Sequence, residues 1–411
     1  MPTSREECRR MDAQDPLAFA RERFFVPEGV IYLDGNSLGC LPRSAPARMA
    51  DLIERQWGKD LIQSWNKADW IGMPQRIATR IAPLVGAAED EVIVADSTSV
   101  NLFKLAAAAI RAKAPRRVVL SERGNFPTDL YVLQGLERLL NGAVELRLVE
   151  RSVLMDALDE SVALIAVTHI HYKTGEIHDM AAINARAHKV GAFVLWDLSH
   201  SAGAVELSLN RDDSDLAIGC GYKYLNGGPG APAFLYAARR LQDNLEQPLS
   251  GWMGHAAPFD FTDEYRPAKG IARFLCGTPV VLGMAAFEEG LKTFDGVAIA
   301  EVRAKSIALG DLFLRLAEER CGAEFRIACP RDGKTRGSQV ALTHPEGYAI
   351  MQALIAEGVI GDFRAPDFLR FGFAPLYTRF VDIWEAVDRL AGIMSRRTYR
   401  APRFQTRAAV T

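Results

Sequence analysis

Between about Glu91 and Ala237 the chain alternates short apolar runs, rich in β-branched residues, with longer segments of helical periodicity. The runs are Val92-Ile93-Val94, Val118-Val119-Leu120, Leu146 to Val149, Leu164 to Thr168, Phe193 to Trp196, Leu216 to Ile218 and Phe234-Leu235-Tyr236. Their hydrophobicity is continuous rather than alternating, so each strand has to be covered on both faces. This pattern predicts an α/β fold, with a large domain built on a mostly parallel seven-stranded sheet between helices.

Beyond Gly296 the pattern changes. Val302, Leu309, Phe313 and Leu316 share one face of a helix expected from Val297 to about Arg320. Strand-like runs follow at Phe325 to Ala328, Gln339 to Thr343 and Phe368 to Phe373, with a helix from Gly347 to Glu357. In the last helix Phe380, Ile383, Trp384, Val387, Leu390, Ala391 and Met394 form a stripe, and Arg396 and Arg397 lie near the end where the helix dipole favours cations. These elements predict a smaller α+β C-terminal domain. The expected organisation is an N-terminal segment, 1–60, packing on the core and small domain, a large domain, 61–296, and the small domain, 297–411. The N-terminal segment holds a turn-rich stretch, Asp34 to Gly39, and a helical one, Ala45 to Trp57.

Composition narrows the partners. The 411 residues are 49% hydrophobic and 24% charged, enough for a large core and close to the globular average. Lys plus Arg (49) nearly balances Asp plus Glu (51), for a net charge of -2 without a long basic run, so no nucleic-acid partner is expected. Cys8, Cys40, Cys220, Cys276, Cys321 and Cys329 are scattered without a C-x-x-C pair, which fits a reducing compartment. Met1 to Ala18 is charged and broken by Pro2 and Pro16, and no run of eighteen apolar residues occurs. A soluble, cytoplasmic protein with no membrane partner is the expectation.

The densest chemical cluster runs from Gly219 through Tyr222-Lys223-Tyr224-Leu225-Asn226 to Gly230, directly after the strand Leu216 to Ile218. Open α/β sheets place ligands outside the carboxyl ends of their strands. A lysine there, between glycines, suits a Schiff-base amine, with partial burial supplying the neutral nucleophile. A surface lysine in a glycine-rich turn is the competing reading. Asp197, at the end of the preceding strand, suits the protonated ring nitrogen of pyridoxal 5'-phosphate (PLP), or else caps a turn. The order strand, Asp197, strand, Lys223 favours the first reading of both.

Ser97 and Thr98 precede a helix expected to begin near Val100, where hydroxyls and free N-H groups bind phosphate, although ordinary N-capping uses the same residues. Phe126 either stacks on a planar ring or fills the core. Arg370 interrupts an apolar strand, and its guanidinium suits a substrate carboxylate or a salt bridge. His169, His171 and His178 look metal-like, but the first two would share one strand face and no ligand spacing completes a set, so no metal is expected. The glycines do not open a helix after a first strand, which disfavours a dinucleotide site.

Taken together, these residues resemble the PLP-dependent enzymes of the aspartate-aminotransferase fold (fold type I) and, within them, the kynureninase family in its bacterial form. The resemblance runs through Tyr32 to Gly39, Ser64-Trp65-Asn66, Asn125 to Asp129, Trp196 to Gly203, Tyr222 to Gly230, Pro248 to Trp252, Gly270 to Phe274 and Arg370 to Phe373, nearly the whole chain. It implies hydrolysis of L-kynurenine to anthranilate and L-alanine in tryptophan and kynurenine metabolism, with 3-hydroxykynurenine a poorer substrate. It also implies that Lys223 carries PLP, that Asp197 faces the ring nitrogen with Asp129 and His200 beside it, and that Phe126 stacks on the ring.

By the same resemblance Ser97, Thr98 and Tyr222 hold the phosphate, with Trp252 and Thr278 arriving from the second subunit of a homodimer, and Thr168 lies near the cofactor. Lys223, Tyr222 and Asp197 are the implied catalytic residues, with Tyr222 a general acid, while Arg370, Trp65, Asn36 and Gly277 form the substrate side. Ser97 stands where the common bacterial pattern has threonine. Trp65, Gly277 and Thr278 match the bacterial arrangement, which lacks the histidine and asparagine of the animal enzymes, so kynurenine is the expected preference. A cysteine desulfurase of the same fold commonly has histidine just before its lysine, where this chain has Tyr222. A transaminase or a non-catalytic PLP-binding protein are the other readings.

Overall fold

All seven apolar runs form strands, and all seven join one sheet in the computed structural model, which describes residues 4–407. The outermost residues of the terminal segments, 1–3 and 408–411, lie outside the described residues. The strands are β1 (Val92–Ala95), β2 (Val118–Glu122), β3 (Glu145–Val149), β4 (Val162–Thr168), β5 (Phe193–Asp197), β6 (Leu216–Cys220) and β7 (Ala233–Ala237). Their spatial order is β1-β7-β6-β5-β4-β2-β3. Only β7 runs against its neighbours.

Helices α1 (Met73–Val85), α2 (Thr98–Ala112), α3 (Pro127–Leu139) and α4 (Met180–Lys189) belong to the same domain. The two-sided burial inferred from composition is visible residue by residue. Val92, Val94, Ile165, Val167, Val194 and Trp196 belong to one hydrophobic cluster, with Met73, Ile77 and Ile81 of α1. Their strand neighbours Ile93, Leu164, Ala166 and Leu195 belong to another, with Leu102 and Leu105 of α2. Successive side chains of a strand point to opposite faces, so a strand apolar at every position serves both layers.

The small domain is a four-stranded antiparallel sheet in the order β8 (Arg326–Ile327), β9 (Gln339–Thr343), β11 (Phe368–Gly372), β10 (Asp362–Arg364). Helices α6 (Ile299–Cys321), α7 (Gly347–Ala356) and α8 (Phe380–Arg396) accompany it. Phe313 of α6 meets Phe371 of β11 at 4.6 Å between ring centroids. The helix expected from Val297 begins at Ile299. Helix α5 (Val281–Lys292) and strand β10 have no counterpart among the predicted elements. The first is apolar around most of its circumference, which blurs its period, and the second is three residues that include an Asp and an Arg.

The N-terminal segment touches both cores. Leu17, Ala20, Phe24 and Leu52 pack in the large-domain cluster. Cys8, Ile31 and Leu33 pack in the small-domain cluster, and Ile31–Tyr32 pairs in parallel with Val359–Ile360. The helical stretch Ala45 to Trp57 is a helix to Asp51 that widens into a π-helical turn. Among the described residues no helix is long and apolar enough to cross a membrane.

Candidate active site

The parallel register sets Thr168 of β4 opposite Asp197 of β5, and Asp197 opposite Ile218 of β6. The carboxyl ends of three strands therefore open at one level, and the turn after β6 carries Lys223 over them. Lys223 is only 9% exposed, which removes the surface-lysine reading. Its Nζ lies 2.9 Å from His200 Nε2, 5.8 Å from the Phe126 ring centroid and 6.0 Å from that of Tyr222. Burial first, and the Lys223 charge second, hold His200 well below the usual histidine range, so its ring is neutral.

Gly39, the last residue of the turn-rich stretch, supports this turn from beneath. Its N-H donates to the Tyr222 carbonyl at 2.8 Å. A Cβ at Gly39 would stand 2.6 Å from the Lys223 carbonyl oxygen and 2.4 Å from Asn226 Oδ1. Gly39→Ala must therefore push the Lys223 turn away. A displacement of about 1 Å at a reacting group can lower kcat by about 100-fold. A fall of that order in kcat, with little change in Tm, is the expected outcome of steady-state and melting measurements on this variant.

Asp197 is 5% exposed, and its Oδ1 accepts the Ser199 N-H at 2.7 Å. The preceding Trp196 is fully buried and donates from Nε1 to Asn184 Oδ1 at 2.9 Å, which fixes the end of β5. Asp129, in the first turn of α3, is also buried. Its carboxyl is raised well above the usual range by burial, then by the Asp197 charge, while Lys223 and a Thr168 hydrogen bond oppose the shift. Asp129 is thus the member of the pair that keeps a proton. Thr168 donates from its N-H, at 3.2 Å, and from its hydroxyl to Asn125 Oδ1. Asn125 belongs to the stretch Asn125 to Asp129, yet only the fold reveals it as the residue that positions Thr168.

Phe126 sits at the N-cap of α3, half-buried rather than in the core, and meets Tyr172 edge to face at 5.3 Å. Helix α2 begins at Thr98, two residues earlier than expected, because the Ser97 hydroxyl accepts the Val100 N-H and caps it. Ser97 is exposed, so capping and phosphate binding are compatible at this helix end. Fully buried Lys104 donates to Asp96 Oδ2 and to the Phe274 carbonyl, each at 2.6 Å, which pins the turn before Ser97. Tyr222 is half-buried, and its phenol is pushed up by burial, then by Cys220 and Asp197, so it stays protonated at neutral pH.

This set can hold PLP: a buried amine, a carboxyl pair for the ring nitrogen, an aromatic face, and a helix N-terminus with hydroxyls for the phosphate. On the small-domain side Arg370 is 2% exposed. Its Nε donates to Asp362 Oδ1 at 2.7 Å and its Nη2 to Asp362 Oδ2, while Nη1 reaches the Tyr172 carbonyl. The salt-bridge reading of Arg370 is therefore realised, with the guanidinium still beside the site through Tyr172 and His200. Asn36 is fully buried and donates to Gln339 Oε1 at 3.1 Å, and its Oδ1 has no hydrogen-bond partner. Gln339 Nε2 donates to the Tyr172 carbonyl at 3.0 Å, so Tyr172 and Gln339 join the two halves of the site.

Trp65 and Trp252 line an apolar groove of about 740 Å³ with Ile62, Phe259 and Phe261. Gly277 and Thr278 are exposed in the single chain. The histidines depart from expectation: β4 ends at Thr168, so His169 and His171 lie on the following loop and share no strand face. His169 Nδ1 is 2.9 Å from Ser201 Oγ, His171 Nε2 is 3.0 Å from the Gly124 carbonyl, and His178 Nε2 is 3.0 Å from Glu122. Among the described residues no group of side chains is arranged to hold a metal ion.

Known proteins can be set against this geometry. Residues 302–390 match the family model of the Kynureninase C-terminal domain. The chain is 53% identical to Kynureninase from Burkholderia mallei (strain ATCC 23344), over 99% of this chain and all of that protein. It is 49% identical to Kynureninase from Pseudomonas fluorescens, over the whole of both. Among solved structures it resembles a cysteine desulfurase from Thermococcus onnurineus NA1, with a TM-score of 0.78 at 18% identity over 92% of this chain and 98% of that one. The cystine C-S lyase C-DES is similar, with a TM-score of 0.76 at 18% identity over 89% of this chain and 98% of that one. At such identities these structures establish the fold alone.

Proposed function

The chain belongs to the kynureninase family, and from that premise we propose a division of labour among the residues that meet around Lys223. The protein is a PLP-dependent enzyme that hydrolyses L-kynurenine to anthranilate and L-alanine. PLP, when bound, supplies an electron sink for negative charge beside the amino-bearing carbon. The observation that carries the assignment of roles is the meeting of buried Lys223, the Asp129-Asp197 pair and the half-buried Phe126 ring at the carboxyl ends of β4 to β6.

In this reading Lys223 would hold the cofactor and would move the proton at the substrate α-carbon. Neutral His200 orients the Lys223 amine. Asp197, with Asp129 beside it, would keep a proton on the ring nitrogen, and Thr168 and Phe126 would help to hold the ring. Ser97, Thr98 and Tyr222 hold the phosphate. Tyr222, whose burial keeps its phenol protonated, gives a proton to the carbon that becomes the alanine methyl group. Arg370 takes the substrate α-carboxylate, and Trp65, Asn36 and Gly277 surround the aryl ketone.

The assembly is a homodimer, with Trp252 and Thr278 of one subunit completing the phosphate site of the other. Supporting this, Ile62 and Phe261 are 75% and 74% exposed in the lone chain, beside the Trp65-Trp252 groove. The enzyme works in the cytoplasm, consistent with its six unpaired cysteines. It prefers kynurenine but also acts on 3-hydroxykynurenine. An apolar pocket discriminates against one added hydroxyl by about 10- to 100-fold, which is the ratio of kcat/KM expected between the two substrates. A ratio favouring 3-hydroxykynurenine would refute this preference.

A further inference from the structure

Arg370 does not stand alone. On neighbouring strands it lies directly opposite Asp362, which it grips through Nε at 2.7 Å and through Nη2. Arg364 reaches the same Asp362 Oδ2 at 2.7 Å, and the Ser37 hydroxyl donates to it at 3.2 Å. A second carboxyl, Asp34, approaches from the N-terminal segment: its backbone bridges to Gly372, two residues beyond Arg370 on β11. Asp34 Oδ1 is buried without a hydrogen-bond partner among the described residues. Two arginines and two aspartates make a cluster that is neutral when both carboxyls are ionised and carries +1 when one is protonated. A neutral cluster offers an incoming carboxylate no net attraction.

We propose that Asp34 is a positioning residue for the substrate α-carboxylate, acting through Arg370: it takes up a proton as that carboxylate binds, so the cluster meets the anion with a net positive charge. The proposal rests on the reading of Arg370 as the carboxylate clamp. Burial, then the Asp362 charge, raise the Asp34 carboxyl to about 7, while Ser37, Arg370 and Arg364 oppose the shift. The other titratable groups facing it, the Tyr32 and Tyr224 phenols, are themselves pushed up by burial and stay neutral. Below pH 7 Asp34 already holds its proton and binding is tight. Above it the proton must be acquired on binding, so affinity for the carboxylate falls with pH.

The test is KM against pH for the PLP-loaded enzyme. For L-kynurenine KM should be flat below about pH 7 and climb by up to about tenfold per pH unit above it, without a matching limb in kcat. Kynuramine, which lacks the α-carboxylate, should show no such limb in its inhibition constant. Asp34→Asn should flatten the kynurenine profile at its low-pH value. A limb that persists in Asp34→Asn, or that kynuramine shares, overturns the role of Asp34. Arg370→Gln separates the two readings: an unchanged KM refutes the clamp itself, whereas a raised KM beside an unchanged limb in Asp34→Asn refutes only Asp34.

A calorimetric readout on the wild type needs no variant to fold. L-Alanine binding at pH 8, measured in buffers of different ionisation enthalpy, should take up about one more proton than ethylamine binding. Equal uptake by the two ligands overturns the proposal.

Discussion

Lys223→Ala is expected to lower kcat for kynurenine by about 1,000-fold or more while leaving the fold intact. Proton transfer by a positioned side chain is worth about 100- to 10,000-fold, and in the proposed assignment Lys223 also holds the cofactor, so both contributions disappear together. No second lysine is placed to substitute. The other buried lysines among the described residues, Lys104 and Lys305, are tied to Asp96 and Asp15, each at 2.6 Å. Among the described residues the only polar side chain that loses its partner is His200, whose ring is already neutral. Melting curves close to wild type, beside single-turnover rates reduced by that factor, are the result to look for.

Asp197→Asn should be nearly as damaging, because in the proposed assignment the carboxylate would keep a proton on the ring nitrogen. Losing one preorganised electrostatic partner in a buried site lowers kcat by about 100- to 1,000-fold. The asparagine oxygen can still accept the Ser199 N-H, so the end of β5 should keep its shape. A second signature follows from the carboxyl pair. Asp129 is raised in part by the Asp197 charge, and removing that charge lets Asp129 ionise at lower pH. Residual kcat of Asp197→Asn should therefore rise with pH as Asp129 loses its proton. The double variant Asp129→Asn/Asp197→Asn should lose that rise, and pH profiles of the two variants measure it.

What the sequence disclosed follows from how each feature is encoded. The central sheet is legible because β4, β5 and β6 are apolar at nearly every position, the pattern that covering on both faces demands. Lys223 and Asp197 are legible as partners because they lie at the carboxyl ends of two consecutive strands that the register then places side by side. Asp362 carries no such signal. Its strand is three residues long, and its partner Arg370 lies eight residues on, so only the antiparallel pairing reveals the ion pair.

Asn125, Tyr172 and Gln339 are invisible for a related reason. Each acts by joining segments far apart in the chain: Asn125 to Thr168, and Tyr172 to both Arg370 and Gln339. The histidines misled for the opposite reason. Two-residue spacing means a shared face only inside a strand, and β4 stops one residue before His169.

The central claim is that Lys223 holds PLP and that the pocket around it releases anthranilate from kynurenine. It is tested most directly by one paired measurement on PLP-saturated wild type and Lys223→Ala: the absorbance spectrum, then anthranilate fluorescence after adding L-kynurenine. A band near the visible edge and rising fluorescence are expected in the wild type, with both lost in the variant. A wild-type band that persists unchanged in Lys223→Ala, or a PLP-saturated wild type that releases no anthranilate, would contradict it.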